Sequence, residues 1–142
     1  MAVLAGCAPE PPPKKVEQPK VDPVTEAWYP KAVSDLAALN HRGEDLFRKG
    51  ERDQAGTLVT EGQELQGKLL AAPKPTLEAM EVSSDLDDLY ARILLANNNV
   101  GWARLVYQKN VVRWRVWKPQ TADTERRRKQ AEAGIKECDR RL

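Results

Sequence analysis

Residues 99–117 read NVGWARLVYQKNVVRWRVW, and this stretch decides the fold because it holds three of the four tryptophans and no helix breaker after Gly101. At about 100° per residue, Trp102, Leu105, Val106, Val112, Val116 and Trp117 fall on one face, with Ala103, Tyr107, Val111 and Trp114 on a second apolar face beside it. A helix with two apolar faces needs neighbours on two sides. The stretch is therefore expected to be the central helix of an all-helical packing. Arg104, Gln108 and Arg115 are left for water, and Lys109 and Arg113 should snorkel out from the edge of the main face. The aromatics read as core rather than as a ligand box.

Working outward, the same periodicity recurs on both sides. Ala32, Val33, Leu36, Leu39, Gly43, Leu46 and Phe47 step by three and four up to Gly50, which predicts helix one ending on a left-handed glycine. Ala55, Leu58, Val59, Gly62, Leu65, Leu69 and Leu70 predict helix two, stopped by Pro73 and Pro75 and joined to helix one by a loop short enough to make an antiparallel hairpin. Helix three starts at Thr76, or at Ser84 if Ser83-Ser84-Asp85 breaks it. Its apolar set is Leu86, Leu89, Tyr90, Ile93 and Leu94, and Asn97-Asn98-Asn99 end it. Pro119 closes helix four, Thr121 or Asp123 caps helix five, and Ala131, Ile135, Cys138 and Leu142 give helix five a thin stripe. The expected fold is all-α, with about five helices as two antiparallel hairpins plus a C-terminal capping helix over residues 24–142, and no strands.

Bulk numbers agree with that class. Charged residues make up 31% of the chain and aromatics 6%, without the alternation a sheet needs. The net charge is only +2 but is unevenly spread. Residues 104–142 hold twelve Lys/Arg against five Asp/Glu, a net of +7, which leaves −5 for residues 1–103. No run of about 18 apolar residues exists to span a membrane.

Little in the sequence suggests chemistry. His41 is the one histidine and has no readable orienting partner. Cys138 sits on an apolar stripe and reads as a small buried hydrophobe. Asp85, Asp87 and Asp88 lack the glycine turn and closing glutamate of a calcium loop and read as acids favouring a helix N-terminus. No glycine-rich phosphate loop, nucleophile elbow or CxxC pair occurs. The expectation is a protein that is not an enzyme and holds no cofactor or metal.

The first seven residues, MAVLAGC, resemble the end of a bacterial lipoprotein signal peptide, with Leu4, Ala5 and Gly6 as the lipobox and Cys7 as the lipidated residue. The resemblance implies fatty acylation at Cys7, a basic and apolar segment upstream of Met1, and, from Ala8 after the cysteine, sorting to the outer membrane facing the periplasm. Residues 8–23, APEPPPKKVEQPKVDP, hold six prolines and read as an extended spacer that reaches roughly 50 Å at about 3.1 Å per residue.

An offset of 48 residues pairs Gly43 with Ala91, Leu46 with Leu94, Phe47 with Leu95, Ala55 with Ala103, Leu58 with Val106 and Val59 with Tyr107. Small matches small and large matches large, as closely crossing helices require. Residues 39–65 resemble one tetratricopeptide repeat. Gly43 stands at its first small position, Leu46 and Phe47 at its large ones, Gly50 at its turn and Ala55 at its second small position. Against that pattern, Val59 replaces the usual aromatic, and the offset exceeds the family's period of 34.

Arg126, Arg127, Arg128 and Lys129, with Arg140 and Arg141, form a candidate partner surface on helix five. The bland alternative is a solvated face offset by Glu125–Lys129 and Glu132–Lys136 pairs. Together these features predict a membrane-tethered lipoprotein that binds an unidentified envelope protein, with nucleic acid disfavoured. The alternative is a cytoplasmic helical adaptor whose basic C-terminal helix binds nucleic acid or an acidic partner.

Overall fold

A computed structural model of the chain describes residue 6, residues 8–13 and residues 21–142. Cys7 and the lipobox residues Leu4 and Ala5 lie outside the described residues. A short 3-10 turn at Pro23–Thr25 leads into five helices: α1 (Trp28–Arg48), α2 (Arg52–Leu70), α3 (Leu77–Ala96), α4 (Val100–Val116) and α5 (Ala122–Arg141). The fold is a small all-α bundle, and no strand occurs among the described residues.

The helix boundaries follow local chemistry. Gly50 takes φ 81° after α1. Its N–H donates to the Phe47 carbonyl and that of Glu51 to Leu46, the paired bonds that satisfy a helix's last carbonyls. Asn98 does the same after α3 at φ 62°, with Asn98 N–H on Leu95 and Asn99 N–H on Leu94. Asparagine tolerates this region because its side chain is short and polar. Thr76 caps α3, its hydroxyl accepting from the Ala79 N–H, so of the two expected starts the earlier one holds. Ser83-Ser84-Asp85 does not break the helix. Thr121 and Thr124 form a reciprocal cap at the start of α5.

The central helix is α3, not α4. It packs against α1, α2, α4 and α5, and Leu86 and Leu89 are almost wholly buried, each worth about 1.5–3 kcal/mol of hydrophobic stabilisation. Its middle carries extra polar ties to three of these neighbours. Asn40 Nδ2 of α1 donates to the Val82 carbonyl at 2.9 Å, Gln66 Nε2 of α2 to the Ser83 carbonyl at 3.2 Å, and Asn110 Nδ2 of α4 to the Ser84 carbonyl at 3.0 Å. Asp85, Asp87 and Asp88 therefore lie mid-helix and are no N-terminal dipole partners. The sequence placed them there only by starting the helix at Ser84.

For α4, the expected phase was half right. Ala103, Tyr107, Val111 and Trp114 are buried as expected, and so is Val106. Of the rest of the main face Trp117 is half-buried and the others are not covered: Trp102 is 59%, Leu105 62%, Val112 46% and Val116 65% exposed. Arg113 does not snorkel, being only 8% exposed. The physical reason is that α4 turns its polar Asn110 and Arg113 inward onto Ser84 and Asp87 of α3, which rotates the apolar stripe outward.

All the small residues matched by the 48-residue offset, Gly43, Ala55, Ala91 and Ala103, are buried. At Gly43 a Cβ would stand 2.8 Å from Leu89 Cδ2, so the α1–α3 crossing is built around the missing side chain. On α5, Ala131 and Cys138 are buried but Leu142 is 75% exposed.

Candidate functional site

The basic residues expected to form a partner surface are tied to carboxylates. Arg126 Nη2 lies 2.7 Å from Asp123 Oδ1, Lys129 Nζ 3.2 Å from Glu125 and Arg128 Nη1 2.7 Å from Glu132. Glu132 thus pairs with Arg128 one turn back rather than with the expected Lys136. Arg140 and Arg141 converge on Glu137, with hydrogen bonds of 2.5 and 2.8 Å to one oxygen. These bonds hold the Glu137 carboxyl down at about 2.

Arg127 is no free cation. Its guanidinium reaches Asp85 at 2.8 Å, Asp123 at 2.9 Å and Glu81 at 3.4 Å, and lies 5.6 Å from the centroid of the Trp114 ring. A side chain so held clamps α5 to α3. Burial pushes the Glu81 carboxyl up, and the Arg127 charge pulls part of that shift back.

A polar cleft of about 480 Å³ between α1, α3 and α5 is lined by His41, Glu44, Asp88, Arg92 and Arg126. Its charges satisfy one another. Arg92 bonds both Glu44 and Asp88 and stands over the Phe47 ring, while burial raises the Asp88 carboxyl against the pull of Arg92. His41 Nε2 is 3.8 Å from Asp45, too far for the hydrogen bond that would orient a catalytic imidazole. Cys138 is fully buried, and burial raises its thiol, the opposite of an activated nucleophile.

Asn40 Oδ1 and Ser83 Oγ are buried without a hydrogen-bond partner, but on the surface of the bundle the feature left uncovered is apolar. Trp102, Leu105, Val112 and Val116 lie on the outer face of α4, with Lys109 between them. The helix carries Arg104, Lys109, Arg113 and Arg115 and no carboxylate. Beside the stripe, Met80 of α3 and Leu105, Val112 and the stem of Lys109 line an open depression of about 540 Å³. A row of exposed apolar side chains interrupted by one lysine, on a chain otherwise laced with ion pairs, marks an interaction surface. The sequence held its signal as the spacing 102, 105, 109, 112 and 116, steps of three, four, three and four. That pattern was absorbed into the core because Val106 and Trp117 were counted with it.

Comparison of the chain with protein-family models, curated proteins and solved structures finds no match. No described helix is long and apolar enough to cross a membrane.

Proposed function

We propose that the chain is a non-enzymatic binding module of the bacterial cell envelope, anchored through lipid on Cys7, held off by the proline-rich spacer, and docking its partner on the outer face of α4. The observation that carries the binding role is the uncovered strip of Trp102, Leu105, Val112 and Val116. Burying such side chains is worth about 25 cal/mol per Å² of apolar surface, so a face left to water is a standing incentive to associate. The tetratricopeptide-like hairpins supply a rigid frame, and preorganised helices lose less entropy on binding. The anchor rests on the LAGC match alone, with the outer membrane as its expected address.

Docking is moved from the basic helix to α4 because Arg126, Arg127, Arg128, Lys129, Arg140 and Arg141 each already hold a carboxylate. The nucleic-acid alternative is weakened because Arg127 is buried against α3 and carboxylates are interspersed along the rest of the basic face, which lowers its attraction for phosphates. The anchor is tested by expressing the gene with its upstream region. Wild type should partition into detergent with the membrane fraction and carry acyl mass on Cys7, and Cys7→Ser should do neither. Soluble, unacylated wild type would remove the lipoprotein reading.

A further inference from the structure

We infer that the outer face of α4 docks one amphipathic helix of a partner protein, in coiled-coil register, and that this helix carries a carboxylate opposite Lys109. The inference deepens the binding-module reading and depends on it, but not on the lipid anchor.

The spacing sets the geometry. Trp102, Leu105, Lys109, Val112 and Val116 occupy successive a and d positions of a 3.5-residue repeat, the narrow seam onto which a second helix packs knobs into holes. The seam runs about 21 Å, fourteen residues at 1.5 Å each. Four of its five positions are large and apolar, and all four are more than 45% exposed. Alongside it, the Met80 depression offers a hole for a knob from the incoming helix.

Charge chooses the occupant. Lys109 is at the centre of the seam, its side chain 61% exposed. Among the described residues the one carboxylate within 4 Å is Asp87, at 3.8 Å, and that oxygen is already bonded by Arg113 at 3.0 Å. A second copy of this chain is a poor occupant. Packed parallel it sets Lys109 against Lys109, and packed antiparallel it sets each ammonium against Leu105 or Val112. Since α4 has no acid to offer in either case, the ammonium would be buried with no carboxylate but the Asp87 oxygen it shares with Arg113. A polar residue at one a position selects its partner by what faces it. The matching helix is apolar at the remaining core positions and acidic at the one facing Lys109.

The test titrates the full 142-residue chain with two synthetic helical peptides about three heptads long. They are identical except for Glu or Lys at the central core position. Trp102 is the reporter, its emission taken as the difference between otherwise identical chains with Trp102 and with Trp102→Phe, and shifting to the blue when its exposed ring is covered. The Glu peptide should bind at least about tenfold more tightly than the Lys peptide. Lys109→Glu should reverse that order, Lys109→Gln should abolish it, and Leu105→Ser should weaken both peptides, with melting temperatures confirming that each variant is folded. Equal binding of the two peptides, no binding of either, or an unchanged order in Lys109→Glu overturns the inference. So does a wild-type chain that self-associates through this face, or whose Trp102 responds to phosphatidylglycerol vesicles and to neither peptide. An unacylated chain that prefers the Glu peptide keeps this inference and loses the anchor. An acylated chain that ignores both peptides keeps the anchor and loses this inference.

Discussion

Asp87→Ala should destabilise the bundle severely. Asp87 is 2% exposed in the middle of α3. Its Oδ1 accepts from Gln66 Nε2 at 3.1 Å and its Oδ2 from Arg113 Nη2 at 3.0 Å. Arg113 also donates to the Asn110 side chain. Removing the carboxylate strands a guanidinium that is 8% exposed, and losing one partner of a buried pair costs about 3–5 kcal/mol. Against a total stability of about 5–15 kcal/mol that is a large share. At roughly 3–5 °C per kcal/mol for a domain of this size, the melting temperature should fall by about 10–20 °C.

Replacing both partners separates the stranded charge from lost packing. Asp87→Leu combined with Arg113→Met removes the charges and fills their space, and such swaps are often neutral or stabilising. The double variant should therefore melt well above Asp87→Ala, close to wild type, in thermal unfolding followed by circular dichroism. A single variant that melts with wild type, or a double variant worse than either single, would refute the assignment of Asp87–Arg113 as a buried, mutually dependent pair.

Three other substitutions probe the packing. Ala103→Glu, at a fully buried small position, should cost several kcal/mol by overpacking and by burying a charge, whereas Gln108→Glu on the same helix should cost under about 0.5 kcal/mol. Equal melting temperatures would mean that α4 is turned differently. Gly134→Ala should destabilise by about 1–3 kcal/mol, since its Cβ would stand 2.5 Å from the Tyr107 ring. Gly67→Ala in α2 meets nothing within 4 Å and should gain roughly 0.5–1 kcal/mol of helix propensity. Denaturant midpoints moving the same way for both glycines would contradict the crossing geometry. Burial pushes the Tyr107 hydroxyl up to about 12 from 10.0. The folded state thus favours the neutral phenol, and the stability this gives is complete below pH 10.0 and is lost as pH climbs towards about 12. Tyr107→Phe should blunt that alkaline loss, and an unchanged pH profile of melting would remove the assignment.

The helix ends were legible because each rests on a local rule that a single residue enforces: Gly50 and the asparagine run for left-handed stops, Pro73 and Pro119 as barriers, Thr121 as a cap. Apolar period was enough to place Leu36, Leu86 and Leu89 inside. It failed on α4, where two apolar faces compete and periodicity is silent on which one the protein covers. The deciding residues were polar. Arg113 looked like a residue that reaches water, and Asn110 carried no readable role, until Asp87 and Ser84, more than twenty positions earlier, supplied their partners. A polar residue buried against a distant polar residue is invisible to any local pattern. The same blindness misread Asp87 as a helix-end acid and Ser84 as a cap, when its hydroxyl accepts the Trp114 indole N–H at 2.9 Å.

The opposed charge of the two parts of the chain has the same origin. Residues 104–142 carry +7 and residues 1–103 carry −5, which on sequence alone suggests a basic surface seeking an acidic ligand. In the bundle the two parts face each other: Arg113 meets Asp87, and Arg127 meets Asp85 and Glu81, all across the packing of α4 and α5 on α3. Part of the asymmetry, the charges of Arg113 and Arg127, is thus spent within the molecule, where a pair shielded from solvent is stronger than one on the surface. Arg113 and Arg127, buried in this way, are not available to a partner, while the exposed pairs within α5 lower the net charge of its outer face. What the fold leaves over is the reverse of what charge suggested, an apolar seam with a single lysine at its centre, so recognition by this protein should respond more to substitution at Leu105 and Lys109 than to salt.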